Sequence, residues 1–289
     1  MNIGIIGAGR VGVSIGKYLK TNILENRLKK EEYNIRGYFS KTIEHAKTAA
    51  DFTNTKCYEN LKELVSCCDV IFITTQDENI KNVWKDIVDF DLSNKLVCHF
   101  SGVLSSSVFE GIEAKNAVGM SIHPMYAFSD KFNSYKNLND AAFVIEAKSE
   151  NINPIEEMFK KLGHTVYKIS PSNKAKYHAA AALASNHMIA LFENSLELLK
   201  ECGLKKSDAR LLLTPLVHEN INNMLKNGCE NSLTGPISRN DTNTVKLHIE
   251  ALKDNAVLDT YKETAKTLID ISKRKMSDND YTIMESILK

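Results

Sequence analysis

An α/β domain followed by an all-α C-terminal domain is the fold class this sequence predicts, on three observations. A glycine-rich turn, GAGRVG, joins a short apolar run to a helical pattern at residues 7–12. Short apolar runs then alternate with amphipathic stretches as far as residue 170. From Pro171 onward only long helical periods remain. Strands that alternate with helices imply crossover units, and therefore a parallel sheet covered on both faces.

Each element follows from its pattern. Residues 2–6, 33–39, 69–74, 95–99 and 117–122 are apolar runs of buried-strand type, and 141–146 and 164–169 add two more. The stretches 11–19, 41–50, 60–66 and 80–88 carry helical periodicity, and another helix starts near Pro154. Ser170 followed by Pro171 reads as a cap and first-turn proline opening the helical half. Breaks are expected at Gly203, near Gly228 and at Gly235-Pro236. The predicted domains are therefore 1–170 and 171–289.

Composition narrows the function classes. Across 289 residues, 43% are hydrophobic and 25% charged, the profile of an ordinary globular protein. Lys+Arg 37 against Asp+Glu 36 leaves +1, so bulk charge gives no reason to expect nucleic-acid or acidic-membrane binding. No signal-peptide pattern opens the chain, and the apolar stretch 179–192 is too short to span a bilayer, so a cytoplasmic protein is expected. Six cysteines without a C-x-x-C pair are read as buried free thiols, and no metal site is expected.

The turn Gly7-Ala8-Gly9-Arg10-Val11-Gly12 fits G-x-G-x-x-G in its strand–turn–helix setting. Gly7 makes the turn, Gly9 admits a pyrophosphate to the backbone, and Gly12 lets helix and strand pack closely. Phosphates then meet the free N–H groups of the helix N-terminus. The first domain is thus a Rossmann-type dinucleotide-binding domain. After the second strand stand Ser40, Lys41 and Thr42, where an NAD site usually carries a carboxylate. A cation and two hydroxyls, with Arg10 as a second cation, suit a 2′-phosphate, so NADP(H) is expected. The alternative is that Ser40 only caps the next helix.

Polar residues gather at strand ends, where doubly wound sheets bind ligands: Thr74, Thr75, Gln76 and Asp77, then His99-Phe100-Ser101-Gly102, then Ser121-Ile122-His123-Pro124. On the helix after Pro171, Lys174, His178, Ala181 and Ser185 fall in one narrow stripe, with Asn186 at its flank. That helix is alanine-rich and reads as buried and central, which makes a lysine and a histidine on it costly without partners. Lys174, His178 and Asn186 are the candidate catalytic residues. Ser101, His123, Ser185, Arg239 and Asp241 are the candidate substrate-binding residues, Arg239 as a bidentate holder of a carboxylate. Asp241 or Asn240 is also placed to cap the following helix.

GAGRVG, HFSG, the HPM turn, KYHAAAALASNHMIAL and LTGPISRND together resemble a bacterial family of Rossmann-like oxidoreductases whose helical C-terminal domain was long catalogued without a function. The resemblance covers essentially the whole chain. That family looks like a branch of the superfamily holding 6-phosphogluconate dehydrogenase, 3-hydroxyisobutyrate dehydrogenase, pyrroline-5-carboxylate reductase and ketopantoate reductase. In the hydroxyacid members a helix carries a catalytic lysine followed four residues later by asparagine. Lys174 matches the lysine, and His178 stands in place of the asparagine. Some members are similar to an alternative type of bacterial ketopantoate reductase. The resemblance implies NADPH-dependent reduction of a small 2-oxo acid, 2-dehydropantoate foremost, with a homodimer built through the helical domain. An imine reductase of the pyrroline-5-carboxylate type and a non-catalytic NADP sensor are the other readings.

Overall fold

A computed structural model of the chain describes residues 1–148 and 153–289. Contacts divide it into two units, 1–184 and 185–289. The division falls after Ala184 and not at the expected residue 170, because side chains of the first helical turns are bonded to strand ends, as shown below.

In the first unit one eight-stranded sheet runs in the order β3-β2-β1-β4-β5-β6-β7-β8. Its strands are β1 (Asn2–Ile6), β2 (Asn34–Phe39), β3 (Lys56–Cys57), β4 (Val70–Ile73), β5 (Leu96–His99), β6 (Val118–Met125), β7 (Ala142–Ala147) and β8 (Val166–Lys168). The helices are α1 (Arg10–Leu24), α2 (Ile43–Thr53), α3 (Leu61–Ser66), α4 (Asp77–Ile87), α5 (Asn153–Lys161) and α6 (Lys174–Ala182). Seven strands fall where the apolar runs predict them; β3, two residues long, carries no such run.

Apolar runs without alternation are what a sheet buried on both faces requires. In β4, Val70 and Phe72 enter one core with Ile3, Ile5, Met120 and Phe143, while Ile71 and Ile73 enter a second with Leu64, Ile80 and Trp84. Each fully buried side chain of this size is worth about 1.5–3 kcal/mol. One expectation fails: the sheet is not wholly parallel, since β7 runs antiparallel to β6. A parallel return needs a crossover helix, and between these strands the chain forms only a 3₁₀ segment, Ser134–Asp140.

The second unit is helical: α7 (Met188–Glu201), α8 (Lys206–Ser232), α9 (Thr242–Leu252), α10 (Val257–Lys275) and α11 (Thr282–Ile287). Its core gathers Ile237, Val245, Ala265, Ile269, Tyr281, Met284 and Leu288. Gly203 (φ +91°), Gly228 (φ +79°) and Gly235 (φ +95°) sit at the expected breaks, all in the left-handed region that favours glycine.

Two helical expectations are corrected. Pro171–Asn173 is a 3₁₀ turn before α6, and the Ser170 hydroxyl pairs with that of Ser172 instead of capping. The stretch read as buried and central is exposed: Leu183 is 61% and Ile189 68% accessible. It also passes through a π turn, Leu183–His187, whose extra residue breaks the 3.6 spacing that put Ser185 and Asn186 on the stripe of Lys174. Among the cysteines only Cys68 and Cys98 are buried; Cys202 and Cys229 are exposed, and all six are free.

Candidate active site

The nucleotide turn lies where the sheet order reverses, between β1 and β4, the position at which doubly wound sheets bind ligands. Gly7 has φ +105°, with the backbone of Thr74 and Thr75 about it. A Cβ on Gly12 would lie 2.3 Å from Thr74 Oγ1 and 2.6 Å from the Gly7 carbonyl oxygen. On Gly9, by contrast, it would meet only the Thr74 carbonyl oxygen at 4.0 Å and otherwise project into open space. Gly9 stands at the N-cap of α1 with no side-chain cap bond, so the first N–H groups of that helix are available. This is the fit a pyrophosphate needs.

The remaining cofactor candidates divide. The Thr74 hydroxyl donates toward the Ile6 and Gly7 carbonyls, so it braces the turn from within. The Thr75 hydroxyl is buried without a hydrogen-bond partner. Val11 is half-buried in the first turn of α1, and Arg10 is exposed before it. Thr42, and not Ser40, occupies the N-cap of α2, again without a side-chain cap bond. No ion pair engages Arg10 or Lys41 among the described residues. An unpaired cation beside two hydroxyls fits a 2′-phosphate better than a ribose 2′-hydroxyl.

A second polar cluster lies in the same unit, built on β5, β6, β7 and α6. Register sets His99 beside Ser121 and Ser121 beside Glu146, so the three share one face of the sheet. All are essentially inaccessible. Glu146 accepts from the Ser106 N–H (2.6 Å) and hydroxyl (2.7 Å), while Ser121 Oγ and His99 Nε2 have no partner. His99 Nδ1 accepts from the Ser101 N–H, which leaves the proton on Nε2.

Lys174 is 1% accessible, and its ammonium donates to the Ser101 carbonyl at 2.9 Å. Burial pushes its pKa down to about 8 against the opposing charges of Glu146 and Asp77. Burial, then the Lys174 charge, then His178 hold His123 down at about 4. His123 Nδ1 lies 2.6 Å from the Tyr177 hydroxyl, and burial raises that phenol to about 12. His178 meets His123 edge to face at 5.7 Å, and its Nδ1 is buried without a partner. Gly102 is what admits the pair: a Cβ there would lie 2.3 Å from His178 Nδ1 and 3.0 Å from His123 Nε2.

Lys174, His178, Ser101 and His123 thus come together in the first unit. Ser185, Asn186, Arg239 and Asp241 belong to the second. The Ser101 hydroxyl is fully engaged, donating to Asp77 and accepting from the Val103 and Leu104 N–H groups, so it shapes the loop after β5 and is not free to orient a substrate. Asp241 spends its carboxylate capping α9 through the Thr244 N–H and hydroxyl, which removes it from substrate binding. Arg239 is exposed, with no hydrogen bond from its guanidinium among the described residues. Tyr177 and Glu146 are absent from the sequence candidates, and His99 enters them only as a polar residue at a strand end. Tyr177 lies three residues from Lys174, on a neighbouring helical face, and the lone glutamate inside the apolar run FVIEA is the signature of a buried, bonded carboxylate.

The fold and site define a dinucleotide-binding oxidoreductase domain joined to a helical domain. Residues 2–100 match the family model described as NADP oxidoreductase, coenzyme F420-dependent. Residues 141–268 match the model of DUF2520, a domain of unknown function. The chain is an NADP-dependent oxidoreductase with NADP(H) as its cofactor. No curated protein matches the chain. Among solved structures, TM1727 of Thermotoga maritima is similar at 22% identity over 94% of this chain and 99% of that one, with a TM-score of 0.73. BF3122 of Bacteroides fragilis is similar at 22% identity, 93% and 98% coverage and 0.70. A 1-pyrroline-5-carboxylate reductase of Streptococcus pyogenes is similar at 15% identity, 95% and 98% coverage and 0.59. At these identities the likeness is one of fold. No helix among the described residues is long and apolar enough to cross a membrane.

Proposed function

We propose that the chain reduces a small 2-oxo acid with NADPH, 2-dehydropantoate being the first compound to test. The observation that carries this reading is the buried ammonium of Lys174 beside the His123–Tyr177–His178 cluster, in the same unit as the nucleotide turn. The α1 N-terminus and Gly9 would hold the pyrophosphate, and Ser40, Lys41, Thr42 and Arg10 the 2′-phosphate. NADPH, when bound, supplies a hydride.

The chain's own groups do the rest. Lys174 places positive charge where an alkoxide develops, and its pKa of about 8 suits proton transfer near neutral pH. His178 is the second candidate donor. His123, a neutral imidazole clamped by Tyr177, lines the same cluster. The leucines that α8 leaves exposed, Leu211 at 69% and Leu225 at 77%, support a homodimer in which a second copy covers them.

Reduction of a cyclic imine is the alternative. It is favoured by the neutral His123, whose Nε2–H suits a C=N nitrogen, and by the fold shared with the pyrroline-5-carboxylate reductase. The test is NADPH consumption with 2-dehydropantoate and with a cyclic imine, using wild type, Lys174→Ala and His178→Ala. Turnover of the oxo acid that falls in both variants supports the first reading. Turnover confined to the imine moves the assignment to the second. Absence of turnover on either, or variants equal to wild type, overturns both.

A further inference from the structure

At the amino end of β4, on the face of the sheet that carries α3, Cys67 and Cys68 stand side by side with their sulfurs 3.9 Å apart, whereas Lys174 bonds the loop past the carboxyl end of β5. Cys67 closes α3 and is half-buried, and its sulfur lies 3.3 Å from the Tyr58 hydroxyl. The Arg36 guanidinium reaches this spot from β2 and interacts with both Tyr58 and Cys67. No carboxylate pairs with Arg36 among the described residues, and its Nε is buried without a hydrogen-bond partner. Arg36 is only half-buried, and the group placed to become its anionic partner is the Cys67 thiol.

We infer that Cys67 is a nucleophilic thiol site for peroxides, with Cys68 as its resolving thiol. Burial alone would raise the Cys67 thiol, but the hydrogen bonds of Tyr58 and Arg36 outweigh it and hold the group below its usual range. Burial, with the neighbouring Cys67, pushes Cys68 far above that range, so Cys68 stays protonated and waits. In the first step the Cys67 thiolate attacks one peroxide oxygen. An S–O bond forms, the O–O bond breaks, water leaves after protonation, and sulfur is oxidised by two electrons to the sulfenic acid. In the second step the Cys68 sulfur displaces that hydroxyl, losing its proton, and the S–S bond forms as a second water departs. The bond joins adjacent residues and closes a small ring, so the product is strained and easily reduced.

The experiment treats the full chain with limiting hydrogen peroxide and maps its thiols by mass spectrometry. The peptide holding both cysteines is expected to lose two hydrogens, reversibly with dithiothreitol, before the exposed Cys202 and Cys229 react. Cys68→Ser is expected to trap the sulfenic acid at Cys67 as a 1,3-dione adduct. Arg36→Gln is expected to slow oxidation of the pair by about tenfold while Cys202 and Cys229 keep their rates, and Arg36→Lys to restore most of it. Oxidation of Cys202 or Cys229 ahead of the pair overturns the inference. So does an Arg36→Gln rate equal to wild type in a folded variant, or no adduct at Cys67 in Cys68→Ser.

Discussion

The Tyr177 hydroxyl lies 2.6 Å from His123 Nδ1, with the two rings edge to face at 84°. At neutral pH the phenol, raised to about 12, keeps its proton, and the imidazole, lowered to about 4, is neutral. With the phenol as donor to Nδ1, the His123 proton resides on Nε2, the nitrogen nearest Gly102. Tyr177→Phe is therefore expected to lower kcat/KM by about tenfold and to cost only about 1 kcal/mol of stability. Nitrogen-15 spectra of the histidine rings provide the direct check: the wild type should show the Nε2–H tautomer at His123, and a wild-type Nδ1–H pattern would contradict the assignment.

Acid stability follows from the same burial. Burial and the Lys174 charge depress His123 to about 4, and burial depresses His99 to about 3, both below the ordinary histidine value near 6.5. Below that ordinary value the unfolded chain binds more protons than the folded one, so stability rises with pH through this window and is lost as pH falls from about 6.5 toward 4. Chemical denaturation across that range should show a loss on the order of 3 kcal/mol or more. His123→Asn should flatten part of it, about 2 kcal/mol.

Much of this architecture was legible in the sequence, for identifiable reasons. Strands buried on both faces must be apolar at every position, which is why residues such as Val70–Ile73 declare themselves. The glycines of the turn are dictated by backbone approach, and Gly12 against Thr74 shows how tight that approach is. What stayed hidden depends on contacts that no local pattern encodes. The antiparallel entry of β7 is decided by a connection without a helix, and the π turn at Leu183–His187 looks like any alanine-rich helix. Ser101 and Asp241 have the composition of ligand-binding residues, yet their side chains are spent on Asp77 and Thr244. Lys174 and His178 were legible as an i, i+4 pair on one stripe. Glu146 acquires meaning only through the register that sets it beside Ser121 and, one strand further, His99, and Tyr177 only through its contact with His123.

The two inner glycines of the turn should fail differently when changed to alanine. At Gly9 the new methyl group enters open space, so the fold is kept and only the phosphate loses room. Gly9→Ala should leave Tm within a few degrees of wild type while raising the NADPH Kd by about tenfold or more. At Gly12 the methyl group would press on Thr74 Oγ1 and on the backbone of Gly7, so Gly12→Ala should lower Tm as well, at a cost of about 1–3 kcal/mol. Calorimetric NADPH titration alongside thermal melts separates the two. Equal Tm losses in both would show that Gly9 is not the face the cofactor approaches.

Lys174 offers the sharpest separation of stability from activity. A lysine whose pKa falls to about 8 through burial holds fewer protons than its unfolded counterpart between about pH 8 and 10.5. Stability gained as pH rises through that window is the sign of a charged form that the fold disfavours. Lys174→Met removes the penalty and keeps the aliphatic stem, at the cost of the bond to the Ser101 carbonyl and of the charge facing Glu146. The variant should lose the alkaline rise in stability and melt within a few degrees of wild type, while turnover with NADPH falls by about a hundredfold. A lysine retained only to tie α6 to the loop after β5 would behave oppositely, with a large drop in Tm and activity preserved in whatever remains folded. Denaturant melts at pH 7 and pH 10, run beside the reductase assay, distinguish these outcomes.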